Sequence, residues 1–333
     1  MHMKLAWKTP ALKPAIAVLA LTAVWLSPAR AQGYPTRPIT MVIPFAAGGP
    51  TDLLGRSLAQ AMSAVLNQSV VVENRPGAGG TLASAAVARA QPDGYTVLLH
   101  HIGMSTAPAL YRKLNFNPLQ AYEYIGHVAD VPMTVVGRPD LPPITPKEFI
   151  AYMKANGSKV NIAHAGLGAA SHLCGMLLQQ AIGSEATTVP YQDTGPAMTG
   201  LMGKQVDAMC DQTMQTMSYI KAGKVKFYGV TTKERLRQLP DAPTMREAGL
   251  KDFEVVVWHG VYAPKGTPPN VTAKLNEALQ RALQQPALVK RLDDLGVQIV
   301  APALQTPKGL QEKLSAEITR WGPLIREAGT YAD

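Results

Sequence analysis

The stretch Pro44-Phe45-Ala46-Ala47-Gly48-Gly49-Pro50-Thr51-Asp52 decides how this chain is read. It follows an apolar run, Ile39 to Ile43, that reads as a strand. It opens an amphipathic pattern over Leu53 to Leu66 that reads as a helix. A glycine pair between strand and helix lets an anion approach backbone N–H groups at the positive end of the helix dipole. The stretch holds no lysine and lacks the G-x-x-x-x-G-K-[ST] spacing of a nucleotide phosphate loop. Such a cradle points to capture of a small carboxylate rather than to phosphoryl transfer. Thr51 and Asp52 also have an ordinary reading as helix N-cap residues.

Upstream, Lys4, Lys8 and Lys13 form a basic leader, Ala15 to Leu26 is a short apolar run, and Ala29-Arg30-Ala31 supplies an A-x-A cleavage site. Residues 1–31 therefore read as a signal peptide, too short in its apolar part to span a bilayer. The mature chain is expected near Gln32 and in the periplasm, where there is no ATP or NAD pool and the milieu is oxidising. Removing Lys4, Lys8, Lys13 and Arg30 turns 32 basic residues into 28 against 23 acidic ones, a net charge of +5. That suits an anionic ligand, and without a dense Lys/Arg stripe no nucleic-acid partner is expected. Cys174 and Cys210 are the only cysteines; they either pair in the oxidising compartment or pack as two buried thiols.

Strand and helix alternate almost throughout: strands at 69–73 and 95–99, a helix at 81–90, then apolar runs at 124–129 and 133–136. After Pro139 to Pro143 a second block alternates helices at 146–155, 169–182, 195–203 and 213–221 with strands at 160–163, 187–190, 206–210 and 225–230. Helices at 271–284, 287–294 and 307–328 close the chain. Repeated βα units predict an α/β fold of doubly wound, mainly parallel sheets covered by helices. Two blocks joined by crossings near Val136–Arg138 and Val256–Trp258 predict two lobes. One comprises 32–136 plus 257–333, the other 137–256, with a ligand cleft where strand ends and helix starts converge.

Four strand-to-helix loops could line that cleft: Phe45 to Asp52; Asn74 to Thr81, with Gly79; His100 to Thr106; and Ala163 to His172. Asp193 and Asp211, each just past a second-block strand, complete the candidate set. Gly103-Met104-Ser105-Thr106-Ala107 approximates a G-x-S-x-G nucleophile elbow with its last glycine replaced, so an exported serine hydrolase using Ser105 is the enzymatic alternative. His100 and His101 are adjacent on a strand, which points their side chains to opposite faces. With no H-E-x-x-H and no C-x-x-C, neither a metal nor another cofactor is expected. His101 and His259 are the histidines placed nearest the cleft.

Together these motifs resemble the Bug-type receptors of tripartite tricarboxylate transporters over essentially the whole mature chain. The resemblance rests on Tyr34-Pro35-x-Arg37-Pro38-Ile39, Pro44-Phe45 to Asp52, Glu73-Asn74-Arg75-Pro76-Gly77-Ala78-Gly79-Gly80 and Pro92-Asp93-Gly94-Tyr95-Thr96. It continues through Gly166-x-Gly168-x-x-x-His172-Leu173, Val189-Pro190-Tyr191, Gly203-x-x-Val206-Asp207, Leu239-Pro240-Asp241-x-Pro243-Thr244 and Ala263-Pro264-x-Gly266-Thr267-Pro268. It implies a type II periplasmic-binding-protein fold, a "Venus flytrap", that presents an organic acid to a membrane permease and works as a monomer without catalysis. It also implies that the Phe45–Asp52 loop (Phe45, Ala47, Gly48, Gly49, Thr51, Asp52) and the Gly166–His172 loop (Gly166, Gly168, Ala169, Ala170, Ser171, His172) share one carboxylate. Against the family pattern, Ala169 and Ala170 stand where a hydroxyl residue is common, and His100, His101 and His259 are unusual. Two imidazoles able to meet a second carboxylate, with Ser105 and a wall from Trp258, suggest an elongated aromatic dicarboxylate of the terephthalate type. A ligand-sensing partner of a signalling kinase is the remaining alternative.

Overall fold

Strand β1 (Ile39–Ile43) is buried at four of its five positions, as expected of a strand covered on both faces. It pairs in parallel with β2 (Val70–Asn74) on one edge and β3 (Thr96–His101) on the other. Helix α1 (Pro50–Leu66) makes the first crossover and stops where Asn67 turns left-handed; α2 (Thr81–Ala88) makes the second. The computed structural model describes residues 1–4, 6, 33–327 and 331–332. Apart from residues 1–4 and 6, the signal-peptide segment lies outside the described residues, its cleavage site included. Residues 34–333 form one unit, distinct from the first 33.

The chain continues through α3 (Gly103–Leu110), β4 (Tyr122–Gly137), α4 (Pro146–Asn156), β5 (Asn161–His164), α5 (Ala170–Ile182), β6 (Thr187–Pro190), α6 (Thr194–Met202), β7 (Ala208–Gln212), α7 (Thr213–Lys221) and β8 (Lys226–Val230). β9 (Val256–Pro264), α8 (Pro269–Ala282), α9 (Pro286–Asp294), β10 (Gln298–Ile299) and α10 (Pro307–Glu327) complete it. The strands follow the path β2-β1-β3-β9-β4-β7-β5-β6, with β8 and β10 also on β4. The βα units run parallel, whereas β4 and β9 run antiparallel to each other at the junction. β4 has 16 residues, roughly 50 Å of extended chain. Tyr122 to Pro132 pair with β9, Met133 to Gly137 pair with β7, and Thr134 to Gly137 also pair with β8.

The two extended crossings read from the sequence lie on β4 and β9: Val136 and Gly137 are paired on both edges of β4, whose change of partner falls at Pro132–Met133. Val256 to Trp258 are the first residues of β9, paired with Pro132 to Asp130. Helix α3 was expected as loop; its Gly, Ser, Thr and Pro108 weaken helix propensity, and burial of seven of its eight residues overrides it. Trp258 is buried in the core, its ring 6.2 Å from that of His127. Cys174 in α5 and Cys210 in β7 form a disulfide with Cα atoms 5.9 Å apart, inside the usual range.

Candidate functional site

The opening loop is held by one buried carboxylate. Asp52 accepts hydrogen bonds from the Gly48 amide (2.9 Å), Arg56 Nε (2.9 Å) and Asn74 Nδ2 (2.8 Å). Burial pushes its pKa up, but these donors outweigh burial and hold it below the ordinary carboxylate value. Helix α1 starts at Pro50 with Gly49 as N-cap. Neither Thr51 nor Asp52 is therefore the N-cap; Asp52 sits in the first turn and reaches back to the loop. Asn74 Nδ2 also donates to the Phe45 carbonyl at 3.0 Å, joining β2 to the loop.

Behind the loop lies a block of rings. Phe45 stacks on His101 at 4.3 Å, His100 is 5.1 Å from His101, and His101 is 5.8 Å from His259, its cross-strand partner. The adjacent histidines do not diverge, because β3 ends at His101 and the chain turns at once into α3. The His101 amide donates to His100 Nδ1 at 2.7 Å, and the Gly103 amide donates to His101 Nδ1 at 2.9 Å. His259 lies behind Thr51, with Nε2 3.4 Å from its hydroxyl and Nδ1 3.2 Å from the Val257 carbonyl. Burial keeps these imidazoles neutral; the pKa of His101 falls to about 3, and His100 and His259 drop well below the ordinary histidine value.

The second loop depends on glycines. Gly166 and Gly168 adopt φ of +91° and +81°, a region that disfavours side chains. Ser171 Oγ accepts the Ala165 amide at 2.9 Å, and the N-cap of α5 is Ala169, without a side-chain cap. The first amides of such a helix have no intrahelical partner and can meet an anion. Gly79 acts next door rather than in the site: at φ +58°, any Cβ would stand 2.7 Å from the Leu167 carbonyl oxygen. Its bare backbone lets the 77–80 loop lie against the 166–168 loop.

Of the candidate residues, Phe45, Thr51, His101, Ala169, Ala170, Ser171, Asp193 and Asp211 line one cavity of about 20 Å³. Pro50 and Ala165, within two of the loops expected to line the cleft, line it too, as do Thr194 and Gln212, which escaped the sequence reading for want of a distinctive motif. Ala47, Gly48, Gly49, Asp52, Gly166 and Gly168 shape its loops without lining it. Ser105 stands apart: its hydroxyl donates to the Ile102 carbonyl at 2.7 Å, and it borders a separate hollow between α3 and α10. His172 and His164, with rings 4.8 Å apart, face another hollow of about 270 Å³. Among the described residues no group of three His, Cys, Asp or Glu side chains could hold a metal.

The cavity is small because Asp193 bridges it. One carboxylate oxygen accepts the Ala46 amide at 2.8 Å, while the other caps α6 through the Thr194 amide at 2.6 Å. Gly49 permits this approach, since a Cβ there would lie 2.7 Å from Asp193 Oδ1. Burial raises the Asp193 pKa, with the Thr194 and Ala46 bonds opposing. Asp211 is raised well above the ordinary value, by burial first and then by the charge of Asp193.

Two facing strand–helix loop systems around a small cavity, on this mixed sheet, define a solute-binding receptor of the periplasmic-binding-protein fold. The structure superposes on the periplasmic binding protein BugD with a TM-score of 0.87 and 51% identity, over 90% of this chain and 99% of that one. It also matches MatC from Rhodopseudomonas palustris, solved with bound malate (TM-score 0.84, 40% identity, 88% and 100% coverage). A further R. palustris structure, with adipate, matches at 0.84 and 30% identity over 89% and 98%. In sequence, a UPF0065 protein of Agrobacterium vitis is 48% identical over 94% of this chain and 91% of its own length. The chain belongs to the tripartite tricarboxylate transporter family of receptors, TctC, whose model matches residues 54–330. These relatives are solute-binding proteins rather than enzymes.

Proposed function

We propose that this protein is a periplasmic receptor that closes on a small organic carboxylate and hands it to a tripartite tricarboxylate-type permease. In this reading the signal peptide is removed on export, and the monomer works with residues 32–136 plus 257–333 as one jaw and 137–256 as the other. The observation that carries the reading is the convergence of the Phe45–Thr51 and Ala169–Ser171 loops on one cavity. A ligand carboxylate accepting amides from both loops is bonded to both jaws at once. Hydrogen bonds to a charged group contribute about 1.5–3 kcal/mol each, and a micromolar ligand needs only about 8 kcal/mol net. Only bonds made in the closed form drive closure. Calorimetry with a carboxylate library tests this: saturable binding without turnover supports it, and ester hydrolysis abolished by Ser105→Ala would refute it.

An aromatic dicarboxylate of the terephthalate type is a second, finer reading, favoured by Phe45 stacked on His101 at the cavity wall. It predicts thermal stabilisation by terephthalate over citrate. Stabilisation by citrate alone would exclude it.

A further inference from the structure

Asp193 makes one bond more than its place at the start of α6 requires. One of its oxygens caps the helix through the Thr194 amide at 2.6 Å, a local duty that a serine hydroxyl performs as well. The other accepts the Ala46 amide at 2.8 Å, 147 residues away in the Phe45–Asp52 loop. Capping does not call for that second bond, and the loop is cut to fit it. Gly49 has a φ of −77°, which any residue adopts, yet a Cβ there would lie 2.7 Å from Asp193 Oδ1 and 3.0 Å from Oδ2. The Gly48 amide of the same loop is already taken by Asp52 at 2.9 Å. Asp193 is 4% exposed, so its bond to Ala46 is shielded from water.

A carboxylate that accepts an amide from each jaw is what the proposed function asks of a ligand, and here a side chain of the protein supplies one. With Asp193 in this seat the cavity is about 20 Å³, room for about one water and for no organic acid. We infer, resting on the receptor reading and its two jaws, that Asp193 is a latch: its carboxylate stands in for the ligand's on the Ala46 amide, holds the unliganded receptor shut, and swings away before an acid can enter. One charge-assisted hydrogen bond shifts such an equilibrium by about 10- to 100-fold. A receptor of which only that fraction is unlatched binds its ligand more weakly by the same factor. Asp193 therefore sets how tightly an acid is held rather than which acid is chosen.

The first arm of the test needs no ligand. Spin labels on Gln60→Cys in α1 and Thr199→Cys in α6, exposed positions on opposite jaws, report the distance between the jaws in the purified protein. Asp193→Ser keeps a capping oxygen on α6 and gives up the reach to Ala46. The wild type should be mainly closed, and Asp193→Ser should lower its closed-to-open ratio about tenfold or more. A wild type that stands open without ligand, or a ratio that Asp193→Ser leaves unmoved, overturns the latch. Should that variant fail to fold, Gly49→Ala, whose methyl evicts the carboxylate, is held to the same result. In the second arm, calorimetry with malate, adipate and terephthalate should show Asp193→Ser holding whichever acid binds the wild type about tenfold or more tightly than the wild type does. Equal or weaker binding overturns the latch and leaves the receptor reading standing. Failure of every acid to bind either protein counts against the receptor reading, and the distances then judge the latch alone.

Discussion

The cavity has two unlike walls. On the β3–β9 side stand Phe45, His101 and, behind them, His100 and His259, the three imidazoles held neutral by burial. On the β6–β7 side stand Asp193 and Asp211, acids whose pKa burial raises. The histidines pack ring against ring and bond to backbone groups and Thr51, so they work mainly as a packed support for the loop. The acids line the cavity, Asp193 bound to the Ala46 and Thr194 amides and Asp211 almost wholly buried beside it. Conspicuous residue types thus point to one wall, while the buried acids sit on the other.

The largest way to break this contrast is to reduce the disulfide, which ties only the acid wall: Cys210 precedes Asp211, and Cys174 lies in the helix that begins at Ala170. Its cysteines are 36 residues apart, so cross-link entropy predicts a loss of about 4 kcal/mol on reduction or in Cys174→Ser, read by urea denaturation. Asp52→Ala attacks the opposite wall by freeing the loop in front of the histidines. Loss of its charged hydrogen bonds should cost about 3 kcal/mol and weaken carboxylate binding, measured by denaturation and calorimetry.

The walls also titrate with opposite sign. Below the ordinary histidine value of about 6.5 the unfolded chain binds protons that the buried imidazoles refuse, so stability falls as pH drops. Above the ordinary carboxylate value of about 3.9 the unfolded chain releases protons that Asp211 and Asp193 retain, so stability falls as pH rises toward their raised values. Each group contributes a slope of about 1.4 kcal/mol per pH unit within its own window. Melting across pH should show His259→Gln flattening the acid limb and Asp211→Asn flattening the upper one. A smaller effect is expected from Gly49→Ala, whose methyl would displace Asp193 from the Ala46 amide. About 1 kcal/mol should be lost, and a shift of the Ala46 amide resonance would report it. Smallest of all is Ser105→Ala, which removes one bond to the Ile102 carbonyl and should cost about 1 kcal/mol or less with ligand affinity unchanged.

The alternation of βα units was legible because strands such as β1 and β3 are short apolar runs bounded by glycine or proline, and both anion loops could be read from glycines ahead of helices. Helix α3 was hidden because its residue types favour loops and only burial makes it helical. The position of Ser105 followed from that same miss. The roles of Gly49 and Gly79 could not be read locally, since each is set by an atom far along the chain, Asp193 Oδ1 and the Leu167 carbonyl oxygen. Asp211 could be named as a candidate from its place past a strand end, but its near-complete burial is a property of everything packed around it.

Strand β4 carries a constraint on how this molecule can change. It runs unbroken from its ladder with β9 into its ladders with β7 and β8. Strand side chains alternate faces, so a single residue inserted near Pro132 would turn Met133 to Gly137 inside out against both neighbours. In a lineage of such receptors, length variation should therefore be absent from the middle of β4 even where its residue types drift, making its residue count the most durable ruler for aligning distant members.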